Sequence, residues 1–265
     1  MAIQELAPAE KQQFLCLRDN AYLPFRSLSH AMAENSFGIT DQGLGRPAHR
    51  LFLIMSRFNH SCIPNSKLPT TSEENITSFA TRDIATGEEI TFCYDPDFEC
   101  RTRHERHHLL RFSCECAACR TGTLFQQLSD MRRTLIRGLQ YLTLGVDLDG
   151  QRQGSVLPII FDPELKTAAE EFRIPLTSRL IYNILVICLL EEEGLLDDFM
   201  LERMLPGTLK ISNGFKTESN ARIAKLAMAQ TTWLKRFCVA SWLYGREDDT
   251  DHEIAMALRM LHGLP

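Results

Sequence analysis

The chain of 265 residues lacks any apolar run that could cross a bilayer. Its most hydrophobic segment, Leu180–Leu190, is interrupted by Asn183 and falls well short of the ~20 residues a spanning helix requires. It also lacks the charged-then-apolar pattern of a secretory leader: Met1–Asn20 is studded with Glu5, Glu10, Lys11 and Arg18, with no continuous apolar stretch between them. Positive charge is not in excess. With 29 Lys and Arg against 34 Asp and Glu, the formal net charge is −5, which argues against a general nucleic-acid binder. No repeat of fixed period is evident, so a solenoid has no sequence support. These absences leave an intracellular protein of the nucleus or cytoplasm as the expectation, with no membrane partner and no direct nucleic-acid binding. The 44% hydrophobic and 24% charged content suffices for one large core or two modest ones and excludes wholesale disorder.

Cysteine, by contrast, is plentiful. Seven of the nine cysteines fall between Cys16 and Cys119, and without a secretory leader they are expected to be free thiols or metal ligands rather than disulfides. Cys114, Cys116 and Cys119 offer three thiolates within one tight turn. Structural zinc is held by four ligands in a tetrahedron, so a fourth must come from elsewhere. Cys62, Cys93, Cys100 and His104 are candidates, and short loop closure favours Cys100 or His104. Buried cysteines are common in cores, but three in so short a span are better explained by a metal.

Along the chain, residues 1 to about 36 read as helical, from Pro8-Ala9-Glu10 through Phe14, Leu15 and Leu17 and on to Met32. The glycines at 38, 43 and 45 with Pro47 predict a loop over 36–47. Leu51–Met55 is a short apolar run, and Lys67–Glu74 a polar surface loop. Asn75–Ala80 and Ile90–Tyr94 read as strands, with Ile90, Phe92 and Tyr94 on one face and a turn over 83–89 between them. Beyond residue 124 the periodicity is helical, over 124–144, 163–172, 176–193, 196–205 and 221–244, punctuated by Pro158, Pro175 and Pro206.

Three motifs carry the chemistry. The first is Ser56-Arg57-Phe58-Asn59-His60-Ser61-Cys62-Ile63-Pro64-Asn65. Ala80-Thr81-Arg82-Asp83-Ile84 follows, with Gly87-Glu88-Glu89-Ile90 leading to Tyr94, and then Phe112 two residues ahead of the cysteine cluster. In this order and spacing, over roughly residues 50–120, the chain resembles SET-domain proteins. The branch is that of the SET-and-MYND lysine methyltransferases and their fungal relatives without the MYND finger.

The resemblance implies an α+β protein: a β-rich SET domain with a post-SET zinc site, followed by an all-helical C-terminal domain. Its domains would be 1–120 (helical insert about 1–36, core about 50–95, post-SET about 100–120) and 121–265. SET domains open with a hairpin bearing Gly-x-Gly ahead of the helical insert. Residues 1–36 already resemble that insert, so the SET domain reads as N-terminally incomplete. Gly43-Leu44-Gly45 comes too late in the chain for the role and reads as loop glycines.

The resemblance further implies a S-adenosylmethionine-dependent protein-lysine N-methyltransferase with Zn2+ as structural metal. Asn59 and His60 match the pair that holds S-adenosylmethionine through backbone and side-chain hydrogen bonds. Phe112 matches an aromatic on the adenine ring, Tyr94 the tyrosine at the reaction centre, and Cys62 the fourth ligand beside Cys114, Cys116 and Cys119. The partner would be a protein presenting a lysine side chain. The alternative is a catalytically inactive SET-like interaction module with a protein partner on the C-terminal helices. Of the remaining features, Asn65 belongs to the first motif but reads equally as a turn residue, the basic run from Arg101 to Arg111 reads as the solvated face of a connecting helix, and His107-His108 is unassigned.

Overall fold

In the computed structural model, residues 7–15, 32, 34–41, 46–68, 75–144 and 174–246 are described. The expectations for Leu17, Gly43 and Gly45, for most of the 67–74 loop and for the helix over 163–172 lie outside these residues. The backbone clusters into two compact units. One takes in residues 1–95 with 107–116, and the other residues 96–106 with 117–265.

The first unit holds helix α1 (Pro8–Leu15) and six short strands: β1 (Phe37–Asp41), β2 (Arg46–Arg50), β3 (Asn59–His60), β4 (Ser66–Lys67), β5 (Phe79–Ala80) and β6 (Thr91–Phe92). It also holds the second half of α2 (Arg103–Leu110). The strands form three two-stranded sheets among the described residues, so the α+β class stands with far less strand than a β-rich reading implies.

The loop expected over 36–47 is instead an antiparallel hairpin, with Phe37 opposite Arg50 and Asp41 opposite Arg46. The glycines and proline that suggested a loop are compatible with it. Among the described residues Pro47 sits in a two-stranded ribbon, whose outer edges tolerate a missing N–H. Pairing of β3 with β6 is parallel, Asn59 opposite Thr91 and His60 opposite Phe92. β4 and β5 pair antiparallel, Ser66 opposite Ala80. The strands expected over 75–80 and 90–94 thus exist as two-residue cores.

The second unit is helical: α3 (Leu124–Leu144), α4 (Leu176–Glu193), α5 (Asp198–Asn213), α6 (Glu218–Met228) and α7 (Trp233–Ala240). The periodicity located α3 and α4 to the residue. In α4, Leu180, Ile184, Val186, Ile187 and Leu190 are essentially inaccessible, and they face Ile211, Ala224, Ala227, Trp233 and Leu243 or, on the other side, Ile136 and Met200. Gly194 ends α4 in the left-handed conformation at φ 73°. Its N–H bonds Glu191 O and the next N–H bonds Leu190 O, which satisfies the last carbonyls of the helix.

Two boundaries differ from expectation. Pro206 does not end α5; it lies inside the helix. Pro206 and Glu202, whose carbonyl loses its N–H partner, are both exposed, so water can serve that carbonyl and the usual cost of proline is reduced. The run over 221–244 is two helices because Thr232 caps the second, its hydroxyl accepting the Lys235 N–H at 3.3 Å.

One buried charge cluster locks this unit. Glu193 is wholly buried and accepts from Arg132 Nε and Arg133 Nε at 2.7 Å each, and from the Ser129 hydroxyl. Arg133 reaches on to the Phe98 carbonyl. α3, α4 and the 3-10 turn Pro96–Cys100 are thereby tied together. No described helix is long and apolar enough to cross a membrane.

Candidate active site and metal centre

The first unit is organised around Asn65. Only 2% exposed, it donates from Nδ2 to the Glu89 carbonyl at 2.9 Å and to Glu88 Oε1 at 3.1 Å, while its Oδ1 accepts the Thr91 N–H at 2.9 Å. Its own carbonyl accepts the Thr81 N–H at 3.0 Å. A residue that reads as a simple turn former therefore clamps the Asn-His segment to the Gly-Glu-Glu-Ile turn. Beside it, Gly87 adopts φ 85° in a tight turn closed by the Glu88 N–H on Ala85 O at 3.0 Å, a conformation glycine adopts without a steric cost. Glu88 is paired with Arg82. That guanidinium, the Ala85 N–H and the Asn65 amide hold its carboxyl down to about 2.

This clamp delivers Asn59, His60 and Tyr94 to one place. Asn59 Nδ2 donates to Glu89 Oε1 at 2.5 Å. The His60 ring is buried; its Nδ1 accepts the Tyr94 N–H at 3.1 Å, and its Nε2 lies 3.2 Å from Cys62 Sγ. Because Nδ1 accepts, the ring proton sits on Nε2 and is donated to the sulfur. Both ring nitrogens are thus engaged within the protein, so any hold of His60 on a cofactor through hydrogen bonds falls to its backbone.

Aromatic rings form a continuous row here. Phe52 and Phe37 have centroids 5.9 Å apart, Phe37 and Phe92 5.9 Å, Phe92 and Tyr94 5.0 Å, Tyr94 and His60 5.1 Å, and His60 and Phe112 6.2 Å. Phe112 reaches His60 because Arg111 leaves α2 in the left-handed conformation, φ 61°. Phe92 and Tyr94 share a face as the strand alternation required, whereas Ile90 is 42% exposed and does not join them. An open cavity of about 280 Å³ is bounded by Phe37, Met55, Phe58, Phe92 and Tyr94, with Glu34 also on its wall. The Tyr94 hydroxyl donates to the Phe58 carbonyl at 3.0 Å. Burial and the nearby Glu89 carboxylate push its phenol up from the usual value. Phe37, Phe52 and Met55 are the site residues that sequence reasoning missed, since their place depends on a hairpin it did not foresee.

Next to His60, Cys62, Cys114, Cys116 and Cys119 converge, each Sγ within 4.8 Å of the others. Their sulfurs suit a metal. Around tetrahedral zinc, thiolate sulfurs lie about 3.8 Å apart, and Cys62 and Cys114 are 4.0 Å apart, far from the ~2.0 Å of a disulfide. The surroundings favour negative charge on sulfur. Arg106, wholly buried, aims NH2 at Cys119 Sγ at 3.4 Å and also bonds the Ala118 and Arg101 carbonyls. The Cys116 N–H points at Cys114 Sγ at 3.5 Å, and His60 Nε2 at Cys62. The Cys114 N–H is accepted by His107 Nε2 at 3.2 Å, which gives that histidine its place.

Of the other ligand candidates, Cys100 is buried against Gln140 Oε1 at 3.2 Å, Cys93 donates to Asp95 O at 3.1 Å, and His104 is exposed. The basic run is a solvated face only in part: His104, His108 and Arg111 are exposed, whereas Arg101 and Arg106 are buried. The charge pattern alone could not reveal that loop carbonyls and a cysteine sulfur would receive Arg106.

A parallel strand pair bearing Asn-His, a tyrosine at its end and a four-cysteine cluster beside it define the class. Residues 5–95 match the SET domain family, and the chain is similar to SMYD-family and fungal methyltransferases. It is 33% identical over 126 residues to the mouse (Mus musculus) protein-lysine N-trimethyltransferase SMYD5, covering 43% of this chain and 26% of that protein. Mouse protein-lysine N-methyltransferase SMYD4 is 35% identical over 102 residues, 37% of this chain and 12% of the relative. A methyltransferase of Gibberella zeae is 28% identical over 120 residues, 44% and 16% respectively. The chain thus spans about a quarter or less of the length of these relatives. No solved structure matches it significantly.

Proposed function

We propose that this chain is a SET-type S-adenosylmethionine-dependent protein-lysine N-methyltransferase acting inside the cell, with one structural zinc on Cys62, Cys114, Cys116 and Cys119. The observation that carries the reading is that Tyr94, on the wall of the cavity, is in ring contact with His60, which follows Asn59 and itself meets the Phe112 ring. Methyltransferase relatives aligned to part of the chain support it.

S-adenosylmethionine, when bound, supplies an electrophilic methyl group on a sulfonium. The protein's task is then to present a neutral lysine amine in line with it. A lysine amine starts ~3 pH units above neutrality, so deprotonation at pH 7 costs about 4 kcal/mol. The walls of Phe37, Met55, Phe58 and Phe92 disfavour the ammonium form and reduce that cost, while the Glu34 carboxylate on the same wall acts in the opposite direction. With its proton donated to the Phe58 carbonyl, the Tyr94 oxygen is left to accept an amine N–H, which turns the nitrogen lone pair rather than the hydrogen toward the methyl group. In this reading the backbone of Asn59 and His60, with the Phe112 ring, holds the cofactor. The zinc fixes the segment carrying Phe112, since a metal that orders a loop contributes folding energy directly.

The test is transfer of a labelled methyl group from S-adenosylmethionine to lysine in cell-extract protein. Tyr94→Phe is expected to lower the rate at least about tenfold with zinc content unchanged. Equal rates in both proteins would remove Tyr94 from its role.

A second reading rests on a different observation. Leu124, Leu128, Met131 and Leu135 recur along one face of α3 and are 70%, 36%, 53% and 46% exposed, an apolar row of the kind that marks protein contacts. It favours a protein partner on the C-terminal helices, with or without catalysis.

A further inference from the structure

We propose that His60 is a positioning residue coupling the metal centre to the reaction tyrosine, its imidazole held as the Nε2–H tautomer between the Cys62 sulfur and the Tyr94 N–H. This rests on the four-cysteine zinc site and the Tyr94 role proposed above. Three observations carry it. One ring bridges the two groups, 3.2 Å to Cys62 Sγ and 3.1 Å to the Tyr94 N–H. The ring is 9% exposed and packed between the Tyr94 and Phe112 rings, so it has little freedom to turn. It also belongs to β3, whose partner β6 runs directly into Tyr94.

A zinc-bound thiolate is a stronger acceptor than a thiol, and the bond it receives from Nε2–H fixes which nitrogen keeps its lone pair. Nδ1 is then committed to accepting the Tyr94 N–H. The metal therefore sets the orientation of His60, and His60 sets the height of Tyr94 in the cavity. Loss of the metal removes the strong acceptor on one side and loosens the anchor on the other.

Side-chain geometry lets the two bonds be cut separately. Asparagine places an acceptor where Nδ1 stands and nothing at Nε2; glutamine places a donor near Nε2 and nothing at Nδ1. The full chain, with zinc and after metal removal by a chelator, is compared with His60→Asn and His60→Gln. Nitrogen-15 NMR of the zinc-loaded wild type is expected to show His60 protonated at Nε2. His60→Asn is expected to release zinc to a chelator at least about tenfold faster while the Tyr94 amide resonance stays in place. His60→Gln is expected to hold zinc within about threefold of wild type and to move that resonance. Removing zinc from the wild type is expected to shift the Tyr94 amide, and removing it from His60→Gln to leave it unmoved.

An Nδ1-protonated ring in the zinc-loaded wild type overturns the proposal without any variant, as does a Tyr94 amide that responds to zinc equally in wild type and His60→Gln. None of these readouts depends on methyl transfer, so an inactive chain with the expected spectra would count against the enzyme reading and leave this coupling intact.

Discussion

Replacing Asn65 with alanine is expected to loosen the candidate active site without disturbing the helical unit. The substitution removes three side-chain hydrogen bonds, to the Glu89 carbonyl, Glu88 Oε1 and the Thr91 N–H. Glu89 is exposed and Glu88 partly so, and water can replace the amide there at little net cost. The Thr91 N–H is half-buried at the start of β6 and keeps most of its desolvation penalty. One poorly replaced N–H at 1–3 kcal/mol, together with two modest bonds of a few tenths each, gives about 2–3 kcal/mol. At 1.4 kcal/mol per tenfold, amide exchange in peptides spanning 59–67 and 88–94 should accelerate roughly 30- to 100-fold. Peptides from α4 serve as the internal reference and should not change. Asn65→Asp keeps the acceptor for Thr91 but sets a carboxylate against Glu88, so it should be no better than alanine, and adding Glu88→Gln should recover part of the loss. Acceleration below about threefold in both site peptides would refute the view of Asn65 as a clamp.

Glu88 gives a pH signature. Its carboxyl is held at about 2 in the fold, below an unfolded value near 4.3. Its contribution is therefore complete above about 4.3 and fades as pH falls toward about 2. The exchange difference between wild type and Glu88→Gln in the 80–92 segment should be largest near pH 6 and shrink through pH 3; a difference constant with pH would contradict this. Glu193→Ala strands two buried guanidinium groups and should cost about 3–5 kcal/mol, read as a lower urea midpoint in tryptophan fluorescence, because Trp233 and Trp242 both belong to the helical unit. Cys62→Ser should lower bound zinc well below one per chain while Cys100→Ala leaves it unchanged, and metal analysis distinguishes them directly.

Parts of this were legible before any coordinates. α3 and α4 declare themselves because their buried faces recur at helical period, and the cysteine turn declares itself because three thiols that close together have few other uses. The hairpin over 37–50 was hidden by its own glycines and proline, which signal a turn equally well inside a loop or between strands. Arg106 was hidden because a charge run reads as solvent-facing until the buried carbonyls and sulfur that receive it are known. The motif pointed to the importance of His60 but not to its bonds: a sequence does not say that one ring nitrogen meets a cysteine sulfur and the other a tyrosine amide. Asn65 was undervalued for the same reason, its partners being supplied by a turn more than twenty residues away.

The central proposal is that Asn59, His60, Phe112 and the cavity bounded by Tyr94 serve methyl transfer, and cofactor binding tests it most directly. Titration of S-adenosylmethionine into the zinc-loaded full chain by calorimetry is predicted to give saturable binding near one per chain, weakened at least about tenfold by Phe112→Ala through loss of the stacked ring. Absence of binding to the folded, zinc-loaded chain would contradict the account.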